Sequence, residues 1–187
     1  MSPAAGASKE PRRTPLHDLH VQLGGRMVEF AGWSLPVQYP AGIIAEHRQC
    51  RSAAALFDVS HMGQVQVRGK KAAAAFERLV PADLTGLDEG RLRYTVFTDE
   101  AGGVLDDLIV GRVEDGLFVV VNAGCRDADL AHMRKALEPA LAVEELAGRG
   151  LLALQGPAAA AVMARLAPAA PGLAFMSTAE MPVAGLP

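Results

Sequence analysis

The sequence has little of several features that would place a protein in a familiar class. Its two cysteines, Cys50 and Cys125, are too few for a disulfide framework and do not form a Cys-x-x-Cys pair. Buried thiols in a reducing compartment are therefore expected, and we predict a cytoplasmic protein. The formal net charge of -3 supplies no basic field for a phosphate backbone, which argues against nucleic-acid binding.

Long apolar runs are also absent from the sequence. No stretch approaches the roughly 18 to 20 uncharged apolar residues of a membrane span, and residues 1–15 contain no apolar core of a signal peptide. We therefore expect no membrane partner. The first residues are small, polar and interrupted by proline, so residues 1–13 are predicted to be a disordered tail.

The motifs of several enzyme classes are missing as well. There is no G-x-G-x-x-G, P-loop or metalloprotease motif, so nucleotide chemistry has no support. Residues 58–61 contain Asp, Ser and His, but their near contiguity and the lack of a G-x-S-x-G motif argue against a hydrolase triad. Glu46, His47 and Cys50 have loosely ligand-like spacing without an evident fourth ligand, so we predict no metal site.

The sequence does contain alternating strand-like and helix-like segments. Residues 92–98, 104–113 and 117–122 are β-like and are separated by the turn segments DEAGG and EDG, which predicts a three-stranded antiparallel meander. The other predicted strands are 65–67, 146–154 and the beginning of a pair over 175–186, and the predicted helices are 16–23, 40–56, 69–80, 127–137 and 158–166. This mixture predicts an α+β fold.

Two adjacent carboxylates, Asp106 and Asp107, lie inside the second strand of the meander. Neighbouring residues of a strand point to opposite faces, and both faces are otherwise apolar here. A carboxylate among apolar neighbours is costly unless donors or a cation satisfy it, which makes each aspartate a candidate for a functional site. Bonding to nearby backbone amides explains either residue equally well, and the spacing does not choose between them.

Two further polar residues of the meander are positioned to border a pocket with Asp107. Tyr94 lies in the first strand, and Asn122 ends the third. Taken singly, an asparagine at a strand end is a common turn former, and a strand tyrosine usually packs with a satisfied hydroxyl. Only the combination with Asp107 makes them candidates.

Six segments taken together resemble the family of the glycine cleavage T-protein, the folate-binding aminomethyltransferases. One segment alone is weak evidence, but six in the same order and at plausible spacing are strong. The match runs from about Thr14 to the end of the chain. The segments are TPLH at 14–17, MVEFAGW at 27–33, LFDVSHMG at 56–63, GGVLDDLIV at 102–110, VVNA at 120–123 and LQGP at 154–157.

This resemblance implies a cloverleaf of three domains around a central hole that holds tetrahydrofolate, with the second domain inserted into the first. Carried onto this chain, domain 1 would comprise residues 14–62 plus 147–187 and would be incomplete. The inserted domain 2 would span residues 63–146, and domain 3 would be absent. The chain would then be a truncated amino-terminal half.

The resemblance also implies an enzyme of glycine catabolism. Members of the family take an aminomethyl group from the dihydrolipoyl arm of the lipoylated H-protein, release ammonia and form 5,10-methylene-tetrahydrofolate. The second aspartate of the Asp-Asp motif is the family's essential acid and matches Asp107, which would orient the attacking folate nitrogen and stabilise developing positive charge. By the same matching, Met62, Tyr94 and Asn122 would line the pterin pocket together with Asp107.

Two other functions share parts of this pattern. Folate-dependent demethylases that act on sarcosine, dimethylglycine or sulfonium substrates carry much of the motif set. A non-catalytic folate-binding protein of the iron–sulfur maintenance type shares the fold but generally lacks the Asp-Asp motif, so Asp107 argues against it. Because part of the pocket wall would be missing, the chain alone is expected to bind folate poorly and to be inactive.

Overall fold

Residues 10–186, which the computed structural model describes, form three β-sheets and five α-helices, as predicted for the α+β class. None of the helices within that range is both long and apolar enough to cross a membrane. The strands are β1 (Arg12–Arg13), β2 (Met27–Phe30), β3 (Trp33–Pro36), β4 (Ala55–Asp58), β5 (Gly63–Arg68), β6 (Leu92–Thr98), β7 (Val104–Val113), β8 (Gly116–Val121), β9 (Ala142–Glu145) and β10 (Leu152–Gln155). The helices are α1 (His17–Gln22), α2 (Ile43–Ser52), α3 (Ala72–Phe76), α4 (Arg126–Leu137) and α5 (Ala159–Leu166), with a 3₁₀-helix at Ala170–Gly172.

The largest sheet has five antiparallel strands in the order β6-β7-β8-β5-β9. Its first three strands are the predicted meander, and their bounds agree with the prediction to within a residue. The apolar residues that alternate along these strands face one side, where Val110 of β7 and Val119 of β8 are opposed and fully buried. This side of the sheet forms the floor of the main core.

Helices α3 and α4 cover that side of the sheet. Leu130, Met133 and Leu137 recur at helical spacing on α4 and are buried. Phe76 of α3 meets Phe97 of β6 with ring centroids 5.7 Å apart, and both are fully buried. Residues 63–146 therefore form a hydrophobic core of their own.

The flanking residues bury much less apolar surface. They form the sheets β1-β3-β2 and β10-β4 together with α1, α2 and α5, and their buried apolar residues within the described range are Trp33, Leu35 and Ala167. The helix predicted over residues 40–56 is present as the shorter α2, and residues 55 and 56 belong to β4 instead. Ile43 and Ile44 of its apolar stripe are exposed. The stripe is exposed because the described residues provide no layer over it.

The amino-terminal tail differs in part from its prediction. Arg12 and Arg13, which were expected to be disordered, form β1 in parallel pairing with β3. The guanidinium of Arg12 anchors this strand, because it lies 2.7 Å from a carboxylate oxygen of Asp127 and 5.7 Å from the ring centre of Trp33. Residues 1–9 of the predicted tail lie outside the described residues.

The carboxyl-terminal part contains two further differences. The strand predicted over residues 146–154 is present only at its end, as β10, and β9 at residues 142–145 was not predicted. The connection between β9 and β10 contains Gly148 with a φ of +79°. Residues 175–186 form isolated bridges in place of the expected strand pair: Ser177 pairs with Arg91, and Val183 with Leu186.

The first and last strands of residues 63–146 are neighbours in the large sheet. β5 pairs with β9, and Val65 lies opposite Glu145. The chain therefore enters and leaves this region at adjacent positions on one sheet. The proposed domain boundaries, 14–62 plus 147–187 and 63–146, stay a prediction, and the large sheet and the two small sheets fall on different sides of them.

Candidate functional site

The register of the meander decides which way the two adjacent carboxylates point. Asp106 lies opposite Phe97, and Asp107 lies opposite Val96 on the neighbouring strand β6. Directly opposed residues of an antiparallel pair project from the same face of the sheet. Because Phe97 belongs to the core beneath the helices, Asp106 points to the helix side and Asp107 points to the other side.

Asp107 belongs to a small polar cluster with Asn122 and Tyr94. Nδ2 of Asn122 donates to the Oδ1 atom of Asp107 at 3.2 Å and to the Asp107 carbonyl oxygen at 3.0 Å. The hydroxyl of Tyr94 hydrogen-bonds to the Asp107 carboxylate, which raises the pKa of Tyr94. Tyr94 is 60% exposed, so this cluster combines a fixed carboxylate with an accessible aromatic ring.

Asn122 also reaches the carboxylate on the opposite face. Its Nδ2 atom lies 3.1 Å from Oδ1 of Asp106. Asn122 directly follows β8, where the strand ends beside β7, and this position lets one amide contact both carboxylates. The orientation of Asp107 is therefore linked to groups on the helix side of the sheet.

Met62 directly precedes Gly63, which lies opposite Val121 in the sheet, so the Met62 backbone is close to Asn122. Met62 lines a cavity of about 230 Å³ together with Trp33 and Arg126. Asp107, Tyr94 and Asn122 are not among the described residues that line this cavity. Tyr94 borders a second cavity of about 530 Å³. Three of the four predicted site residues are thus in contact, and Met62 does not share a cavity with them.

One acidic residue of this neighbourhood was missed by the sequence reasoning. Asp129 of α4 is 4% exposed, and burial together with the neighbouring Asp106 carboxyl raises the pKa of Asp129 to about 7. Asp129 lies four and eight residues before Met133 and Leu137, so it shares their buried side of the helix. A carboxylate in the apolar stripe of a predicted helix is the signal that would have identified it.

A second buried polar network lies in the flanking region. One carboxylate oxygen of Asp58 is 2.9 Å from Nε2 of His20, and the other accepts the Ser60 amide N–H at 2.9 Å. Nδ1 of His20 lies 2.6 Å from the Tyr39 hydroxyl. Burial by itself raises the pKa of Asp58, but the hydrogen bonds from Ser60 and His20 outweigh it, so the pKa of Asp58 is lowered. This network connects α1, the segment before α2 and β4.

The fold and the polar cluster together define the class of protein. It is an α+β protein whose antiparallel sheet presents a carboxylate, an amide and a phenol on the face away from its helices.

Within residues 10–186, no group of three or more His, Cys, Asp or Glu side chains is arranged to hold a metal ion. The family model for the GCVT N-terminal domain matches residues 16–187. The chain belongs to this family, as the six sequence segments indicated.

Individual relatives agree with this family assignment. The chain is 40% identical over 190 residues to the mitochondrial aminomethyltransferase of Dictyostelium discoideum, covering 96% of this chain and 47% of that protein. It is 50% identical over 153 residues to the aminomethyltransferase of Rubrobacter xylanophilus, covering 79% and 40%. The crystal structure of glycine cleavage system aminomethyltransferase T from Bartonella henselae matches with a TM-score of 0.82 and 40% identity, covering 89% of this chain and 46% of that one. The chain thus spans less than half the length of these relatives.

Proposed function

We propose that this chain is the amino-terminal part of an aminomethyltransferase of glycine catabolism. In this proposal the whole protein moves an aminomethyl group from the dihydrolipoyl arm of a lipoylated H-protein to tetrahydrofolate, releasing ammonia and forming 5,10-methylene-tetrahydrofolate. The observation that carries the proposal is the Asp107 carboxylate held by Asn122 beside the exposed Tyr94. The names of the relatives support it, since those proteins are called aminomethyltransferases.

Asp107 has the properties that this transfer requires of an acid. The amide of Asn122 holds one of its carboxylate oxygens, so the negative charge has a set position before a substrate arrives. A charge that is fixed in advance orients the attacking folate nitrogen and favours the positive charge that develops on the aminomethyl carbon as ammonia leaves.

The donor and acceptor set suits a reduced pterin. A pterin presents N–H donors at its edge, for which the Asp107 carboxylate is an acceptor, and a flat ring face, against which the exposed Tyr94 ring is able to pack. Asn122 keeps the carboxylate in place. Met62 remains a predicted folate contact, although among residues 10–186 it lines a different cavity from the one that Tyr94 borders.

Replacing Asp107 by asparagine tests the proposed role of its charge. In a form of the protein that carries the full length of the relatives, supplied with lipoylated H-protein and tetrahydrofolate, Asp107→Asn is expected to slow methylene-tetrahydrofolate formation by about 10²-fold or more. The matched control is Asp115→Asn, since Asp115 is an exposed carboxylate at the far end of the same sheet, roughly 20 Å away along the strand.

The outcomes of this experiment separate the candidate functions. Loss of product in Asp107→Asn with full activity in Asp115→Asn supports the proposal, and undiminished turnover in Asp107→Asn contradicts it. Formation of the same product from sarcosine or dimethylglycine without H-protein, in the presence of an added two-electron acceptor, would identify a folate-dependent demethylase. Tight folate binding without turnover of any of these substrates would identify a non-catalytic folate-binding protein.

We further propose that the 187-residue chain is inactive alone and binds tetrahydrofolate weakly. Two observations support this: the Tyr94 side chain is 60% exposed, and Met62 and Tyr94 line different cavities. Isothermal titration of the chain with tetrahydrofolate is expected to show no saturation below about 1 mM. Micromolar binding would contradict this expectation.

Cytoplasmic localisation is likewise a proposal. The two cysteines are free thiols, as is typical of a reducing compartment. The relatives named here include a mitochondrial protein and a bacterial one, and they leave the compartment open. Fractionation of the native cells with an antibody against the chain is expected to recover it in the soluble cytoplasmic fraction, and recovery in an organelle would contradict this.

A further inference from the structure

The helix side of the large sheet contains two carboxyl groups that the proposed reaction does not use. Asp106 projects from β7 toward the helices, and Asp129 projects from α4 toward the sheet, where it is buried. The Asp106 carboxyl lies close enough to Asp129 to raise the pKa of Asp129. They lie behind the strand that carries Asp107.

Each of these carboxyl groups has an oxygen without a partner. Oδ2 of Asp106 and Oδ2 of Asp129 are both buried, and neither has a hydrogen-bond partner among the described residues. No lysine or arginine in the range 10–186 forms an ion pair with either group. Two ionised carboxylates side by side, each with a buried oxygen and no cation, are strongly unfavourable. A single shared proton removes one of the two negative charges and supplies a hydrogen-bond donor. It therefore relieves the repulsion and satisfies the unpartnered oxygens.

Asp106 is in turn connected to the candidate site. Its other oxygen, Oδ1, accepts a hydrogen bond from Nδ2 of Asn122 at 3.1 Å, and the same nitrogen lies 3.2 Å from Oδ1 of Asp107. A rotation of the Asp106 carboxylate therefore moves the acceptor that orients the Asn122 amide. We propose that Asp129 is a positioning residue that keeps a proton and donates it in a hydrogen bond to Asp106, which fixes the Asn122 amide and through it Asp107.

The environment of Asp129 agrees with a retained proton. Burial, followed by the hydrogen bond and negative charge of Asp106, raises the pKa of Asp129 to about 7. The Cys125 thiol also lies close to both carboxyl groups, and its pKa is raised by burial and by their charge, so it stays protonated as well. The titratable groups around the pair are Asp106 and Asp107 from β7, Tyr94 from β6, Cys125 before α4 and His132 on α4.

The direction of the pH effect follows from the raised pKa. Between the ordinary carboxyl range and about pH 7, the folded chain holds a proton on Asp129 that the unfolded chain has lost. The stabilisation that this proton gives the folded chain is fully present below the ordinary carboxyl pKa range, and it is lost as the pH rises through about 7. Above that pH two like charges face each other behind Asn122, and the arrangement that holds Asp107 is expected to loosen.

The first test uses the 187-residue chain and does not require activity. Infrared spectra at pH 5.5 are expected to show a protonated carboxyl band that disappears as the pH rises through about 7 and is absent from Asp129→Asn. The side-chain amide resonances of Asn122 in NMR spectra are expected to be retained in Asp129→Asn, because its own amide donates to Asp106. They are expected to shift in Asp129→Leu, which removes the donor and keeps the branching of the side chain at Cγ.

Several results would overturn the proposal. These are a wild-type chain without the protonated band, Asn122 resonances unchanged in Asp129→Leu, or equal shifts in Asp129→Leu and Asp129→Asn. If Asp129→Leu does not fold, Asp106→Asn replaces it. Removing the Asp106 charge should then move the Asp129 titration down toward the ordinary carboxyl range, and an unmoved titration would refute the coupling.

A second test rests on the proposed function. In the full-length form, kcat for methylene-tetrahydrofolate formation is expected to fall above about pH 7, and this fall should be absent in Asp129→Asn. Asp129→Leu is expected to lower kcat roughly tenfold with a smaller change in KM for tetrahydrofolate, since it misplaces an acid and leaves most folate contacts in place. A wild-type alkaline fall in kcat that persists in Asp129→Asn would contradict the role of Asp129. If the aminomethyl transfer itself is absent, the infrared and NMR results still decide whether Asp129 positions Asn122.

Discussion

Residues 63–146 and the residues that flank them differ in how their apolar side chains are used. In the inserted region, that is, residues 63–146 between the paired strands β4 and β10, one face of a five-stranded sheet packs beneath two helices, and the side chains between them are almost completely buried. In the flanking regions, short strands form sheets of two and three, and helices α2 and α5 contain no buried residue. The comparison shows that a sheet covered by helices supplies its own interior, whereas short strand pairs depend on further layers.

The largest expected effect concerns the core of the inserted region. Phe97→Ala removes a ring that is 0% exposed and touches Phe76 and His132, so it should lower the free energy of unfolding by about 3–5 kcal/mol. The matched control is Phe175→Ala, because Phe175 is 90% exposed and its loss should cost less than about 0.5 kcal/mol. Urea unfolding followed by circular dichroism measures both. Similar losses in the two variants would break the comparison.

A smaller effect is expected in the flanking region, where a polar network takes the place of an apolar core. Asp58→Asn weakens the bonds to His20 and Ser60, which should cost about 1.5–3 kcal/mol. Because the pKa of Asp58 is lowered, its contribution is present above the unfolded carboxyl pKa and is lost as the pH falls through the folded pKa.

The pH dependence of the free energy of unfolding tests this prediction separately. Unfolding curves of wild type and Asp58→Asn should therefore converge at acidic pH and separate toward neutral pH. Asp18→Asn is the control, since Asp18 is an exposed carboxylate beside a histidine and should leave stability unchanged. A difference between wild type and Asp58→Asn that is independent of pH would argue against the ionised network.

The smallest effect on stability is expected at the exposed stripe of α2. Replacing Ile43 and Ile44 by serine should change the free energy of unfolding by less than about 0.5 kcal/mol, because both side chains are largely exposed. Binding of the dye ANS to the native chain should decrease, since the dye reports accessible apolar surface. Val110→Ser, at a fully buried position, is the contrasting variant and should destabilise strongly. Equal destabilisation by both changes would show that the stripe is covered.

The same contrast explains how much of the fold was predictable from sequence. The meander was located to within a residue because alternating apolar residues and clear turn segments act locally. Helix α2 was also located, although it is shorter than predicted, and the structure leaves Ile43 and Ile44 of its apolar stripe exposed. Periodicity reports which side of a helix is apolar, and it carries no information about whether another layer covers that side.

The candidate site was predictable in its members and less so in its arrangement. Tyr94, Asp107 and Asn122 were identified together, and the structure brings them into contact. The choice between Asp106 and Asp107 was left open by spacing, because it depends on strand register across the meander. Asp129 was missed because its effect arises from a partner in another element, which local sequence does not specify.

The pairing of β5 with β9 also changes how the flanking regions can assemble. Opposed residues of an antiparallel pair lie about 5 Å apart at their Cα atoms, so the folded insert returns the chain close to where it left. A flexible segment of the same length would impose a large loop-closure entropy on the strands at its ends. Strands β4 and β10 lie just outside the insert and pair with each other, Asp58 opposite Leu152. They can therefore associate as the two arms of a hairpin whose turn is an entire folded unit.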